Sequence, residues 1–196
     1  MSFGEFVGGL TWFDLVIGLY LFAFFILGFI QGTIRRVLGI GQTVFSFLLA
    51  ANLREPLGAF FAGNWNQFPD EYAYLIAFLL VFAAATVVFT LLIQSFYTTQ
   101  ALWDKSRFLD EAIGGILGLV QAILYLAIFV VILDSFFQVP GIPESRGELP
   151  FIRDGWMIFD ASRTAIVVRD TILPVFFTIF GIFIPGEIQR LVLDYR

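Results

Sequence analysis

Three features of the chain predict an all-α, polytopic membrane protein. Of its 196 residues, 59% are hydrophobic and 14% are charged, where a soluble domain usually carries about 25% charge. Four long runs, 12–30, 37–53, 72–96 and 112–133, hold a single charge between them, Asp14. Phenylalanine alone occurs 26 times, more than a soluble core needs, and the mean hydropathy is +0.90. Too few polar side chains remain to cover a globule, so the bilayer has to serve as solvent.

Each element follows from its residues. Run 12–30 makes a helix of roughly 28 Å, close to the ~30 Å hydrocarbon core. Thr11-Trp12-Phe13-Asp14 has the shape of a capped helix start. Stretch 31–36 carries Arg35 and Arg36 and reads as a six-residue basic turn, which makes 12–53 a membrane hairpin. The second span is 37–53. Residues 54–71 hold Pro56, Gly58, Gly63 and Pro69 and read as a loop with room for a short interfacial helix. Run 72–96 is the third span, preceded by Asp70 and Glu71, where a helix N-terminus favours negative charge. Residues 98–111 form a mixed-charge loop, and 112–133 is the fourth span, ended by Asp134. Residues 1–137 are therefore expected to form one four-helix transmembrane domain.

The tail, 138–196, differs in kind. Residues 138–155 are rich in Pro, Gly and charge and read as a loop. Residues 156–170 place Asp160, Arg163, Thr164 and Asp170 on one face and predict an amphipathic surface helix. Run 171–185 is apolar but short for a span and contains Pro174, so a re-entrant or interfacial segment is expected. Trp12, Trp65, Trp103 and Trp156 all fall at expected borders or in loops, where interfacial aromatics belong.

Arginine and lysine in the short loops set the orientation. Loops 31–36 and 97–111 carry two each, loop 54–71 carries one and the first eleven residues carry none. The two basic loops are expected in the cytoplasm with both termini outside; a fifth crossing at 171–185 would bring the C-terminus inside. The first eleven residues lack the basic start of a removable signal peptide, so the first helix is expected to stay.

Composition also limits the chemistry. A net charge of −5 argues against nucleic acid. Cysteine and histidine are absent and Lys105 is the one lysine. Thiol chemistry, Ser-His-Asp triads and His-based zinc sites are thereby excluded. No cofactor or metal constellation and no catalytic set is expected, and the chain reads as a non-enzyme. An intramembrane aspartyl protease would need two facing aspartates at one depth, and Asp110 lies outside the fourth span with no such partner.

Some residues stand out all the same. Gly28-x-x-x-Gly32 ends the first span and Gly114-x-x-x-Gly118 begins the fourth. Small residues four apart let helix backbones approach closely, either within the chain or across a homo-oligomer. Asp14 reads as a helix cap. Asp134 reads as a solvated border residue, with pairing to Arg54 or cation binding as alternatives. Gln31, Gln42, Gln94 and Gln121 fall in the inner half of the bundle and suggest one hydrogen-bonded polar network, structural in role because no ionisable residue is expected at mid-depth.

These residues also resemble a known family, the colicin V production proteins (CvpA), which are small bacterial inner-membrane proteins. The resemblance rests on Asp14, on Gly28-x-x-Gln31-Gly32-x-x-Arg35, on Leu109-Asp110-x-x-x-Gly114-x-x-x-Gly118 and on Leu133-Asp134-Ser135-Phe136. It covers about residues 12–137, with a vaguer likeness in the tail at Ser162, Pro174 and Pro185. The chain departs where the family usually has Arg-Gly in place of Gln31-Gly32, Asp-Arg in place of Asp110-Glu111 and Arg-Gly in place of Gln121-Ala122. The resemblance implies a multi-pass protein of the inner membrane linked to bacteriocin production or export and to envelope homeostasis. It implies secretion or envelope proteins as partners and no defined reaction. An oligomeric channel or transporter for ions or small solutes is the alternative.

Overall fold

The computed structural model describes residues 11–65, 70–96, 107–137, 150–186 and 189. The N-terminal stretch 1–10, Trp103, Lys105 and most of the 138–155 loop lie outside the described residues. Within them every regular element is helical: α1 (Trp12–Gln31), α2 (Thr33–Asn64), α3 (Asp70–Phe96), α4 (Arg107–Phe137), α5 (Pro150–Asp160), α6 (Arg163–Val167), a π-helical turn (Val168–Ile172), α7 (Leu173–Phe180) and a 3₁₀ turn (Gly181–Phe183).

Helix α1 starts where the sequence places it. The Asp14 N–H donates to Thr11 Oγ1 at 3.3 Å and the Thr11 N–H donates to Asp14 Oδ2 at 2.9 Å, a reciprocal capping box. Leu15, Leu19, Phe22, Ile26 and Ile30 form one exposed stripe on α1, as a lipid-facing surface requires.

The expected six-residue turn is a single residue, Gly32, with φ 76° and ψ 175°. Positive φ favours glycine, and a Cβ there would also lie 2.5 Å from Asp110 Oδ2. Arg35 and Arg36 are therefore inside α2, not in a turn. Helix α2 also runs on through Arg54 and Pro56 to Asn64, where a loop was expected. Gly58 lets this extension pack closely: its missing side chain lets the Tyr74 ring of α3 lie against the helix backbone. Arg54 sits 6.0 Å over the same ring. At 32 residues, α2 is about 48 Å long and outreaches the hydrocarbon core.

Helix α2 packs along α3, and α1 packs along α4, with α4 also against α2. Helices α3 and α4 scarcely meet. Close approach comes from small side chains: Ala50, Ala51, Ala77, Ala85, Ala122 and Ala127 are all buried, as expected for helices that pack without a hydrophobic drive between them. The core joins Phe47 of α2, Phe78 of α3 and Ile128 of α4 with Phe159, Val168, Leu173 and Phe176 of the tail. The tail thus shares one core with the bundle.

The tail differs from the expectation in two ways. The amphipathic helix is broken: α5 stops at Asp160, and Ser162 caps a new start by accepting the Ala165 N–H at 3.1 Å. From there Arg163–Phe183 is one helical stretch of 21 residues, with Pro174 in the first turn of α7, a position that needs no N–H. By length and apolarity five helices qualify as membrane spans, these being α1, α2, α3, α4 and Arg163–Phe183. The expectation was four. Along its course this fifth stretch meets Asp14 through Thr164, packs Phe176 on Phe47 at 5.3 Å, and ends where Asn52 Nδ2 donates to the Phe183 carbonyl at 3.2 Å.

Candidate functional site

Two polar regions lie at opposite ends of the bundle. The first surrounds Gly32. Helix α2 begins there without a cap from its own chain neighbours, and Asp110 of α4 supplies one. Its Oδ1 accepts the Thr33 N–H at 3.3 Å, and the Thr33 hydroxyl donates to the Asp110 carbonyl at 3.0 Å. Asp110 is buried inside the first turn of α4, not outside the span. The glycines allow this approach. A Cβ on Gly114 would sit 2.5 Å from the Gly28 carbonyl oxygen, and one on Gly28 would strike the Gly114 carbonyl. A Cβ on Gly118 would strike the Phe24 carbonyl. Gly28, Gly32, Gly114 and Gly118 thus face one another within a single chain.

Beside this contact is a cavity of about 160 Å³ between α2, α3 and α4. Gln31, Gln42, Gln94 and Gln121 all line it, together with Arg35 and Arg36. The bonds that hold it run to other partners rather than from glutamine to glutamine. Gln42 Nε2 donates to the Thr86 carbonyl at 3.0 Å and to Thr90 Oγ1 at 2.7 Å. Arg36 Nη1 donates to Gln121 Oε1 at 2.7 Å. Gln121 lies eleven residues beyond Asp110, about 16 Å up α4. The Arg36 guanidinium therefore reaches toward the middle of the bundle, where no ionisable group was expected. Arg36 is 5% exposed and also lies 5.8 Å over the Phe24 ring. Periodicity held the missed signal. Once α2 is started at Thr33, Arg36, Thr43, Phe47 and Ala50 share its buried face.

The second region surrounds Asp14 and Asp134. Asp14 Oδ1 accepts the Thr164 N–H at 3.0 Å and the Thr164 hydroxyl at 2.7 Å, while Oδ2 serves the Thr11 cap. Asp14 is thus a cap that also docks the tail. Asp134 corrects the expectation more sharply. It is 2% exposed, not solvated, and its partner is Arg169 of the tail, not Arg54. Arg169 donates to both its oxygens, through Nη2 at 2.6 Å and Nε at 2.7 Å, and reaches Asp160 with Nη1 at 2.5 Å. The Phe159 ring lies 5.9 Å from the same guanidinium. Asp134 opposes the dipole at its helix end, and a bidentate cation is what such a carboxylate requires. The signal that could have found Arg169 was this need, although the partner lies 35 residues away.

Chemically, the second region is committed to structure, since its carboxylate oxygens are taken up by Thr11, Thr164 and Arg169. Among the described residues no group of three His, Cys, Asp or Glu side chains could hold a metal ion. The first region leaves a donor-rich space open.

Neither a curated protein nor a solved structure matches the chain. The family model for the colicin V production protein matches residues 13–158. That stretch runs from the capped start of α1, through the glycine contact and the arginine cavity, to α5, and by it the chain belongs to the colicin V production protein family.

Proposed function

We propose that this is a non-enzymatic, multi-pass protein of the bacterial inner membrane that supports bacteriocin production or export and envelope homeostasis. The observation that carries the reading is the family match over residues 13–158. The use of Asp14, Asp110 and Asp134 as caps and ion-pair partners supports it, because those carboxylates are spent on holding the helices together. Secretion or envelope proteins are the partners this role calls for. The test is a gene deletion scored for toxin secretion and for tolerance of envelope stress. A deletion strain that matches its parent in both assays sinks the reading.

A second reading, an oligomeric channel or transporter, is favoured by one observation, the polar cavity within the bundle. Self-association through Gly28 and Gly114 does not support it, because those faces meet inside one chain. Flux of ions or small solutes through reconstituted liposomes would favour this reading, and sealed liposomes would remove it.

We infer further that α1 to α4 cross the bilayer and that Arg163–Phe183 lies across the Asp14 end as a cover. Asn52 is twenty residues past Gly32, about 30 Å along α2, and so lies level with the start of α1. The fifth stretch begins beside Asp14 and ends beside Asn52, which leaves both its ends at one side.

A further inference from the structure

We propose that the cavity around Arg36 binds a phosphate oxyanion. Arg36 is buried, yet its Nε–H has no hydrogen-bond partner, and an unmet buried donor on a cation is costly. Arg35 and Arg36 both line the cavity, and among the described residues no carboxylate does. The acids in the first turn of α4 are engaged elsewhere, Asp110 on Thr33 and Glu111 on Arg107. Water filling the cavity would satisfy the donor but not the charge. A cation held at this depth in a membrane bundle calls for an anion.

The donor set and the size narrow the class. Two guanidinium forks match the oxygens and the charge of a phosphate better than those of a halide, and glutamine amides complete the wall. At about 160 Å³ the cavity falls well below the roughly 300–1,000 Å³ of ordinary small-molecule pockets. It has room for one phosphate group. The phosphate has two possible sources. Tyr125 lines both this cavity and an apolar groove of about 390 Å³ that continues past Ile17, Phe82 and Phe129. A phospholipid would place its headgroup phosphate in the cavity and an acyl chain in the groove, whereas free phosphate would use the cavity alone.

The experiment uses the full chain purified in a neutral maltoside detergent. One arm measures phosphatidylglycerol bound by native mass spectrometry, and the other titrates inorganic phosphate by calorimetry at constant ionic strength. The wild type is expected to bind at least one probe saturably, and the arm that responds identifies the source. Arg36→Gln should weaken that binding about tenfold or more. Arg107→Gln, which alters an exposed arginine paired with Glu111, should leave it unchanged. If Arg36→Gln does not fold, Arg36→Lys keeps the charge but loses the fork and should weaken binding severalfold. Wild-type protein that binds neither probe overturns the proposal, as does equal binding by the Arg36 and Arg107 variants.

Discussion

Asp110 caps a helix that is not its own. Its carboxylate receives the Thr33 N–H from 77 residues away and so fixes the start of α2 against the first turn of α4. Replacing Asp110 by Ala should lower stability by about 1–2 kcal/mol, and Asp110→Asn should restore much of it because the amide oxygen still accepts. Thermal unfolding of the two variants in detergent measures the difference. Equal losses would show that charge, not capping, is what matters there.

Arg169 and Asp134 form a pair in which one member has nowhere to go. With Asp134 2% exposed, Arg169→Met should cost about 3–5 kcal/mol by stranding the carboxylate. Adding Asp134→Leu to that variant should recover much of the loss. A double-mutant cycle on unfolding free energies reads the coupling, and strictly additive losses would refute it.

The glycine contact predicts a graded series. Gly114→Ala should destabilise by about 1–3 kcal/mol, as overpacking of a close contact does, and Gly28→Leu by more. Gly18→Ala is the control, since nothing lies within 4 Å of the new Cβ. Protease resistance in detergent ranks the three, and a harmless Gly28→Leu would mean that α1 and α4 do not meet there.

The chain has no cysteine, so single cysteines report its topology cleanly. Gly63→Cys and Gly186→Cys both place the thiol in open space. If Arg163–Phe183 covers one end, an impermeant maleimide labels both from the same side of intact cells, and labels Arg107→Cys only after lysis. Labelling of Gly63→Cys and Gly186→Cys from opposite sides would establish a fifth crossing instead.

Legibility in the sequence followed the physics of each segment. The cores of α1, α3 and α4 were visible because a long uncharged run has few alternatives to a buried helix. Helix α2 was visible over 37–53 but not at its ends, because Arg35, Arg36, Pro56 and Gly58 are loop signals by composition. What makes them helical is tertiary, namely the cavity that takes Arg36, the Tyr74 ring that fills the space at Gly58 and the Asp110 cap. The glycine spacing marked the right residues but could not say whether the partner helix belonged to the same chain. The tail was hardest. Asp134 advertises a missing cation, yet nothing local names Arg169, and the Ser162 cap that divides the expected amphipathic helix is a short-range signal that helical periodicity hides.

The bond between Asp14 and Thr164 spans 150 residues, which sets a clock on biogenesis. At about 5–20 residues per second, the first span waits roughly 8–30 s after emerging before its acceptor oxygen is met. Until then Asp14 Oδ1 is without the two donors that Thr164 supplies in the folded chain.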